Sequence, residues 1–363
     1  MSKRKASRPR VPAATELAQV KDAPIGAKPR PVALLALIAL AVVGLGMGVA
    51  LLWRKPTDTS PPSQEPLAQL RAVANTCRRA PPFVDGLGFG PGMSLSTTER
   101  DLRGLALVEY GQQGRIKQWQ HPSWQQAGNL AAFTLDRSGN VYVVPAPRVD
   151  LQINPPERQN RVYKIDAQSA EMSLLLEFPT AKPVGLRNPF AGLGLTYDCD
   201  LDSLFLSSVA GSDAHTQRGM IFRIALEPQP QIAAQFSGFD AFGISAMQSA
   251  TGKVLLMGSA RSGELYFLKI SADGAWQGLP QRFASIAGLG PDGNERARRF
   301  DLEPDGSLRV SGAKFAYNLA QPSAQGQATH YRYVWDGAAA VPRNGMPQSA
   351  GAYRFADWQS VGR

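Results

Sequence analysis

The chain has 363 residues, 44% of them hydrophobic, two cysteines and a formal net charge of +10. After subtraction of an N-terminal apolar segment this is enough chain for one large, well-buried domain, and it excludes a small disulfide-stapled scaffold. Residues 1–30 carry eight basic residues against Glu16 and Asp22, which accounts for +6 of the +10. The basicity belongs to a terminal tail and lends no support to a nucleic-acid role for the rest.

Residues 1–31 read as a basic cytoplasmic tail. Val32 to Trp53 follows as an uncharged run rich in Ala, Leu, Val and Ile. About 20 apolar residues cross a bilayer as a helix, and an aromatic and basic border such as Trp53-Arg54-Lys55 marks a membrane surface. The run is longer than the apolar core of a cleaved signal peptide, so it is expected to be a signal anchor. The basic tail orients the N-terminus to the cytoplasm of a bacterial inner membrane and places the main domain in the periplasm. Gly44 and Gly48 form a small-xxx-small pair through which two such helices could dimerise.

Residues 54–82 read as a proline-rich linker followed by a short helix over Leu67 to Arg79, stopped by Pro81-Pro82. Cys77 and Cys199 could pair in an oxidising compartment, or could be two unrelated thiols.

Residues 83–363 carry strand signals. Four segments share a strand–turn–strand layout: Leu130–Val144, Leu193–Ser207, Ile244–Gly258 and Phe300–Gly312. Each has an Asp-, Ser- or Gly-containing middle suited to a hairpin. A third strand follows each, at Arg161–Asp166, Met220–Ala225, Glu264–Ile270 and Tyr331–Trp335. A fainter copy lies at Leu102–Tyr110 and Arg115–Trp119. Short antiparallel strands repeating at about 50 residues point to an all-β fold, a β-propeller, with a β-sandwich or another irregular β-domain as the alternative. Six blades is the preferred count, with five or seven open, and Ala352–Phe355 is expected to pair near Phe83–Leu95 to close the ring.

The stretch from Gly128 to Val143, with Asn160–Asp166, resembles blades of the six-bladed propeller superfamily. That group includes NHL-repeat proteins, SMP-30 gluconolactonase-like hydrolases and strictosidine synthase-like proteins. The resemblance is good in this blade and looser in the next three. In the gluconolactonase-like members a divalent metal is held at the ring axis by Glu, Asn and Asp, with Asn or Asp directly before a strand glycine. Here Phe242 precedes Gly243 and Ala191 precedes Gly192, so that pattern is not met.

Polar residues nonetheless recur where innermost strands should begin: Asn129, Asn188, Asp240 and Asn294. Around an axial channel they could bind a polar ligand or a divalent cation; Asn and Asp also favour turns and strand starts on their own account. Asp198, Asp200 and Asp202 alternate like a calcium loop, but Ser203 and Val209 occupy its glycine and glutamate positions, so a solvated acidic turn is expected. His121, His215 and His330 lack metal-ligand spacing, and no Gly-x-Ser-x-Gly, Walker A or dinucleotide motif occurs. The sequence thus points to a membrane-tethered binding or scaffold module for a protein or envelope ligand, without a cofactor. The alternative is a metal-dependent hydrolase of the lactonase or strictosidine synthase-like type.

Overall fold

The computed structural model describes residues 77–97, 99, 101–112, 114–146, 152–249, 252–318, 328–336 and 352–361. The tail, the apolar run with Gly44 and Gly48, the linker and residues 67–76 of the expected helix lie outside them. Among the described residues no helix is long and apolar enough to cross a membrane. The chain divides into two compact units, Met1–Ser63 and Gln64–Arg363, and every described residue belongs to the second.

Cys77–Arg79 is not helical, contrary to expectation. Tertiary ties override the local pattern: Cys77 is disulfide-bonded to Cys199, and the Arg79 N–H donates to the Asp136 carbonyl at 3.1 Å. A four-residue helix, α1 (Phe83–Gly86), follows Pro81-Pro82.

Among the described residues nineteen strands then build five antiparallel sheets. The first has three, β1 (Met93–Ser96), β2 (Ala106–Gly111) and β3 (Gly114–Trp119). The second contains β4 (Leu130–Leu135), β5 (Val141–Pro145), β6 (Arg161–Ile165) and β7 (Met172–Glu177). The third contains β8 (Gly192–Asp198), β9 (Ser203–Ser208), β10 (Met220–Ala225) and β11 (Gln231–Ser237). The fourth contains β12 (Ala241–Ser249), β13 (Gly252–Ser259), β14 (Glu264–Ile270) and β15 (Trp276–Ser285). The fifth contains β16 (Arg296–Leu302), β17 (Leu308–Ala313), β18 (Ala328–Asp336) and β19 (Ala352–Val361).

This is an all-β propeller of five blades, one fewer than the preferred six. The leftover segments at the two ends do not make another blade. Residues 83–96 form α1 and β1, whereas β19 pairs with β18 as the rim of the last sheet, Ala352 opposite Asp336. The expected closure against Phe83–Leu95 does not occur. Tyr353 and Phe355 instead pack edge-to-face with Trp335 and Tyr333, with ring centroids 5.1 and 5.8 Å apart, which fixes β19 where it is.

Burial follows the strand's place in the blade. All seven residues of β8 are buried, whereas β11 at the rim alternates exposed and half-buried. Local turn chemistry closes the hairpins: Asp136 Oδ1 accepts from the Ser138 and Asn140 N–H groups at 2.8 and 2.9 Å, and Gly139 takes φ 87°. Adjacent blades meet through apolar clusters that join the first sheet to the second (Leu105, Trp124, Val143), the second to the third (Val144, Leu206, Phe222), the third to the fourth (Phe205, Ile244, Leu255) and the fourth to the fifth (Leu256, Phe300, Val310). Where innermost strands touch there is no room for side chains: a Cβ on Gly243 would overlap the Arg298 carbonyl.

The free face of the fifth sheet is charged. Arg299 meets Asp301 at 2.9 Å, and Arg309 meets Asp301 at 3.4 Å and Glu303 at 3.1 Å. Among the described residues no apolar cluster joins this sheet to the first.

Candidate functional site

Innermost strands begin at one end of the propeller, here the leading end, and turn into their neighbours at the other, the trailing end. Asp240 precedes β12 at the leading end and is fully buried. Its Oδ1 accepts from the Ser212 hydroxyl at 2.6 Å and the Gly219 N–H at 2.8 Å; its Oδ2 accepts from the Tyr317 hydroxyl at 2.6 Å and Arg261 Nη1 at 3.2 Å. Four donors on a buried carboxylate satisfy its charge and leave little acceptor capacity for a cation. Burial, followed by the bond to Asp240, pushes the Tyr317 phenol up, so it remains a donor at neutral pH.

Arg261 also organises the polar excursion between β9 and β10. It donates to the carbonyls of Asp213, Ala214 and Thr216 at 2.9, 2.8 and 3.3 Å. Asn188 serves the same loop, its Nδ2 donating to the Val209 and Ser212 carbonyls at 2.7 and 2.6 Å. The structure therefore brings Asn188 and Asp240 together through Ser212. His215 lies exposed in this loop, where its N–H donates to Asp213.

The other two expected residues stand apart. The backbone of Asn129, not its side chain, is gripped by buried Asn154, which donates to the Asn129 carbonyl at 3.0 Å and accepts from its N–H at 2.8 Å. Asn294 is exposed, and its carbonyl accepts from Arg296 at 2.6 Å. Its neighbour Glu295 is the buried group, accepting from Thr329 at 2.9 Å and Tyr331 at 2.6 Å. Asn154 and Glu295 carry no motif, and only their distant partners distinguish them.

Between these groups the leading end is filled by rings. Phe315 packs on Phe190, Phe242 and Tyr317 with centroids 5.3, 4.9 and 5.2 Å apart. Among the described residues no three His, Cys, Asp or Glu side chains are grouped to hold a metal.

At the trailing end the reading of Asp198–Asp202 as a solvated turn holds for exposed Asp200 and is corrected for Asp198. Asp198 is buried and ion-paired with buried Lys253, whose Nζ also meets Asp200 at 3.1 Å. Asp202 accepts from the Tyr197 hydroxyl at 2.5 Å; burial and that bond push Tyr197 up to about 12. Within the same turn Cys199 bonds Cys77, Cα atoms 6.0 Å apart. The next residue, Arg78, donates from Nη2 to Thr196 Oγ1 at 3.1 Å.

No known family profile and no curated protein sequence matches this chain. Solved structures do. A hypothetical selenium-binding protein from Sulfolobus tokodaii is 10% identical over 81% of this chain and 80% of its own, with a TM-score of 0.41. A luciferin-regenerating enzyme is 12% identical over 76% of this chain and 75% of its own, TM-score 0.40. A protein from Bacteroides uniformis designated a candidate 6-phosphogluconolactonase is 12% identical over 74% of this chain and 68% of its own, TM-score 0.40. Likeness at this level transfers no activity.

Proposed function

We propose that this protein is a membrane-tethered binding module: the apolar run Val32–Trp53 anchors it, and the propeller stands on the periplasmic side as a rigid surface for a protein or envelope ligand. The observation that carries the reading is the state of Asp240, the one acid among the four expected axial residues. Its four protein donors and the aromatic packing of Phe190, Phe242 and Phe315 give it a supporting role, not a reactive one. The Cys77–Cys199 bond suits an oxidising compartment, in agreement with the exported placement.

Melting of the full chain in detergent, with and without millimolar calcium or zinc, tests this against the metal-dependent hydrolase. The binding-module reading expects no cation-dependent rise. A rise that Asp240→Asn abolishes would establish the hydrolase-type metal site instead. A C-terminal alkaline phosphatase fusion, active only outside the cytoplasm, tests the placement. Photo-crosslinking residues at two exposed positions, Leu186 in the loop before β8 and Leu279 on the outermost strand β15, should give a discrete adduct in intact cells. Absence of an adduct from both would count against the partner surface.

A further inference from the structure

Residues 77–82 cross the trailing end of the propeller as an arm between two fixed points. At one, Phe83 packs on Trp119 and Trp124, ring centroids 5.9 and 6.0 Å away, and its N–H donates to the Ala167 carbonyl at 3.1 Å. At the other, Cys77 is bonded to Cys199 in the turn after β8. Between them the Arg79 N–H donates to the carbonyl of Asp136, just past β4. Ala80, Pro81 and Pro82 lie against Gly139 of the same turn, where a Cβ would come within 3.0 Å of each.

Arg78 reaches further in. Its Nη2 donates to Thr196 Oγ1 on β8 at 3.1 Å, and that oxygen also accepts from the Ala246 N–H of β12 at 3.5 Å. Desolvation, followed by Arg299 of β16, lowers the proton affinity of Arg78, while Asp301 of β16 and Asp198 oppose this. The arm and its arginine thus meet the trailing ends of the innermost strands from several sides.

The two ends of the sulfur bridge are held differently. The turn around Cys199 keeps its shape through other bonds: Asp198 accepts from the Asp200 and Leu201 N–H groups at 3.1 and 2.9 Å, and Arg137 donates to the Cys199 carbonyl. The arm is held more loosely, because Pro81 and Pro82 have no N–H to offer and Arg78 and Arg79 reach the ring through single hydrogen bonds. Both cysteines are half-buried, within reach of a thiol from solution.

We propose that the Cys77–Cys199 bond is a redox latch: it holds residues 77–82 across the trailing mouth of the ring, and a dithiol reductant opens it. One thiolate of the dithiol attacks a sulfur of the bridge, its second thiol displaces the mixed disulfide, and the reductant leaves as a disulfide. Two electrons and two protons pass to Cys77 and Cys199, which become thiols. Cys199 stays in its turn while the arm pivots about Phe83 and lifts Arg78 from Thr196. The device does not depend on the binding-module reading.

The test is limited trypsin digestion of the full chain in detergent, oxidised or treated with dithiothreitol without denaturant, with near-ultraviolet circular dichroism reporting on the blades. In the oxidised protein the bonds after Arg78 and Arg79 should resist cleavage. After reduction they should be cut roughly tenfold faster or more, ahead of any site within the blades and with the native spectrum kept. Reoxidation before digestion should restore the resistance, and Cys77→Ser should be cut there without reductant. A bond that dithiothreitol cannot reduce without denaturant overturns the proposal. So does an arm that still resists trypsin once reduced, or cleavage within the blades as fast as in the arm.

Discussion

Arg298 donates to the carbonyl of Ala131 at 2.9 Å across 167 residues of sequence, joining the innermost strands of the second and fifth sheets. Consecutive blades from the first to the fifth are held by apolar clusters, whereas this tie between two non-consecutive sheets is a hydrogen bond from a charged donor. Hydrogen bonds to charged groups contribute roughly 1.5–3 kcal/mol. Arg298→Met, which keeps an apolar stem, is therefore expected to lower unfolding stability by about 1–3 kcal/mol. Hydrogen exchange should quicken in β4 and β16 and remain unchanged in β10. Equal protection in all three strands would show that the bond does not hold the ring.

Asp240→Asn keeps the shape of the side chain but removes the charge opposite Arg261 and turns one acceptor into a donor facing existing donors. Breaking a buried pair from one side costs about 3–5 kcal/mol; Arg261 is partly exposed, so a loss of about 2–3 kcal/mol is expected. Urea denaturation measures it. Proteolysis should become faster within residues 210–218, the loop that Arg261 and Ser212 hold in place, before it does elsewhere.

Cys77 and Cys199 are 122 residues apart in sequence. The chain-entropy relation for a loop of that length gives about 4–5 kcal/mol of stabilisation. Reduction, or the double change Cys77→Ser and Cys199→Ser, should shift the denaturation midpoint downward accordingly. Arg78 should lose its contact with Thr196 at the same time.

His330 on β18 is half-buried, and burial, followed by Arg309, lowers its proton affinity; Asp301 and Glu303 oppose this only in part. The unfolded chain therefore binds a proton more readily than the native one. This contribution to stability is complete above the ordinary histidine value of about 6.5 and is lost as the pH falls through the lowered native value. His330→Gln should make the stability profile flatter below that pH than wild type. A parallel profile would show that His330 titrates equally in both states.

Hairpins were legible because their causes are local. Asp136 and Gly139 make their turn within five residues, and the strands beside them carry the expected β-branched and aromatic residues. The blade count was not legible, because it depends on whether residues 83–96 and Ala352–Val361 pair with each other or with nearer strands. Aromatic contacts from Tyr353 and Phe355 to β18 decide that. Among the site residues, Asn188 and Asp240 do share an end of the ring, as strand-start position implied. Asn129 was expected to present its side chain, yet its role is filled through the backbone by Asn154. Asp198 looked solvated because Lys253, its partner, is 55 residues further along the chain.

The bond between Cys77 and Cys199 also determines how the domain bears load. A pull along the N-terminal chain, as from an anchor, reaches the blades at residue 77 and passes through sulfur to residue 199 in the third sheet. The first two sheets lie inside the covalent loop, so tension bypasses them. They would keep their packing under a force that, in the reduced protein, would peel them away strand by strand.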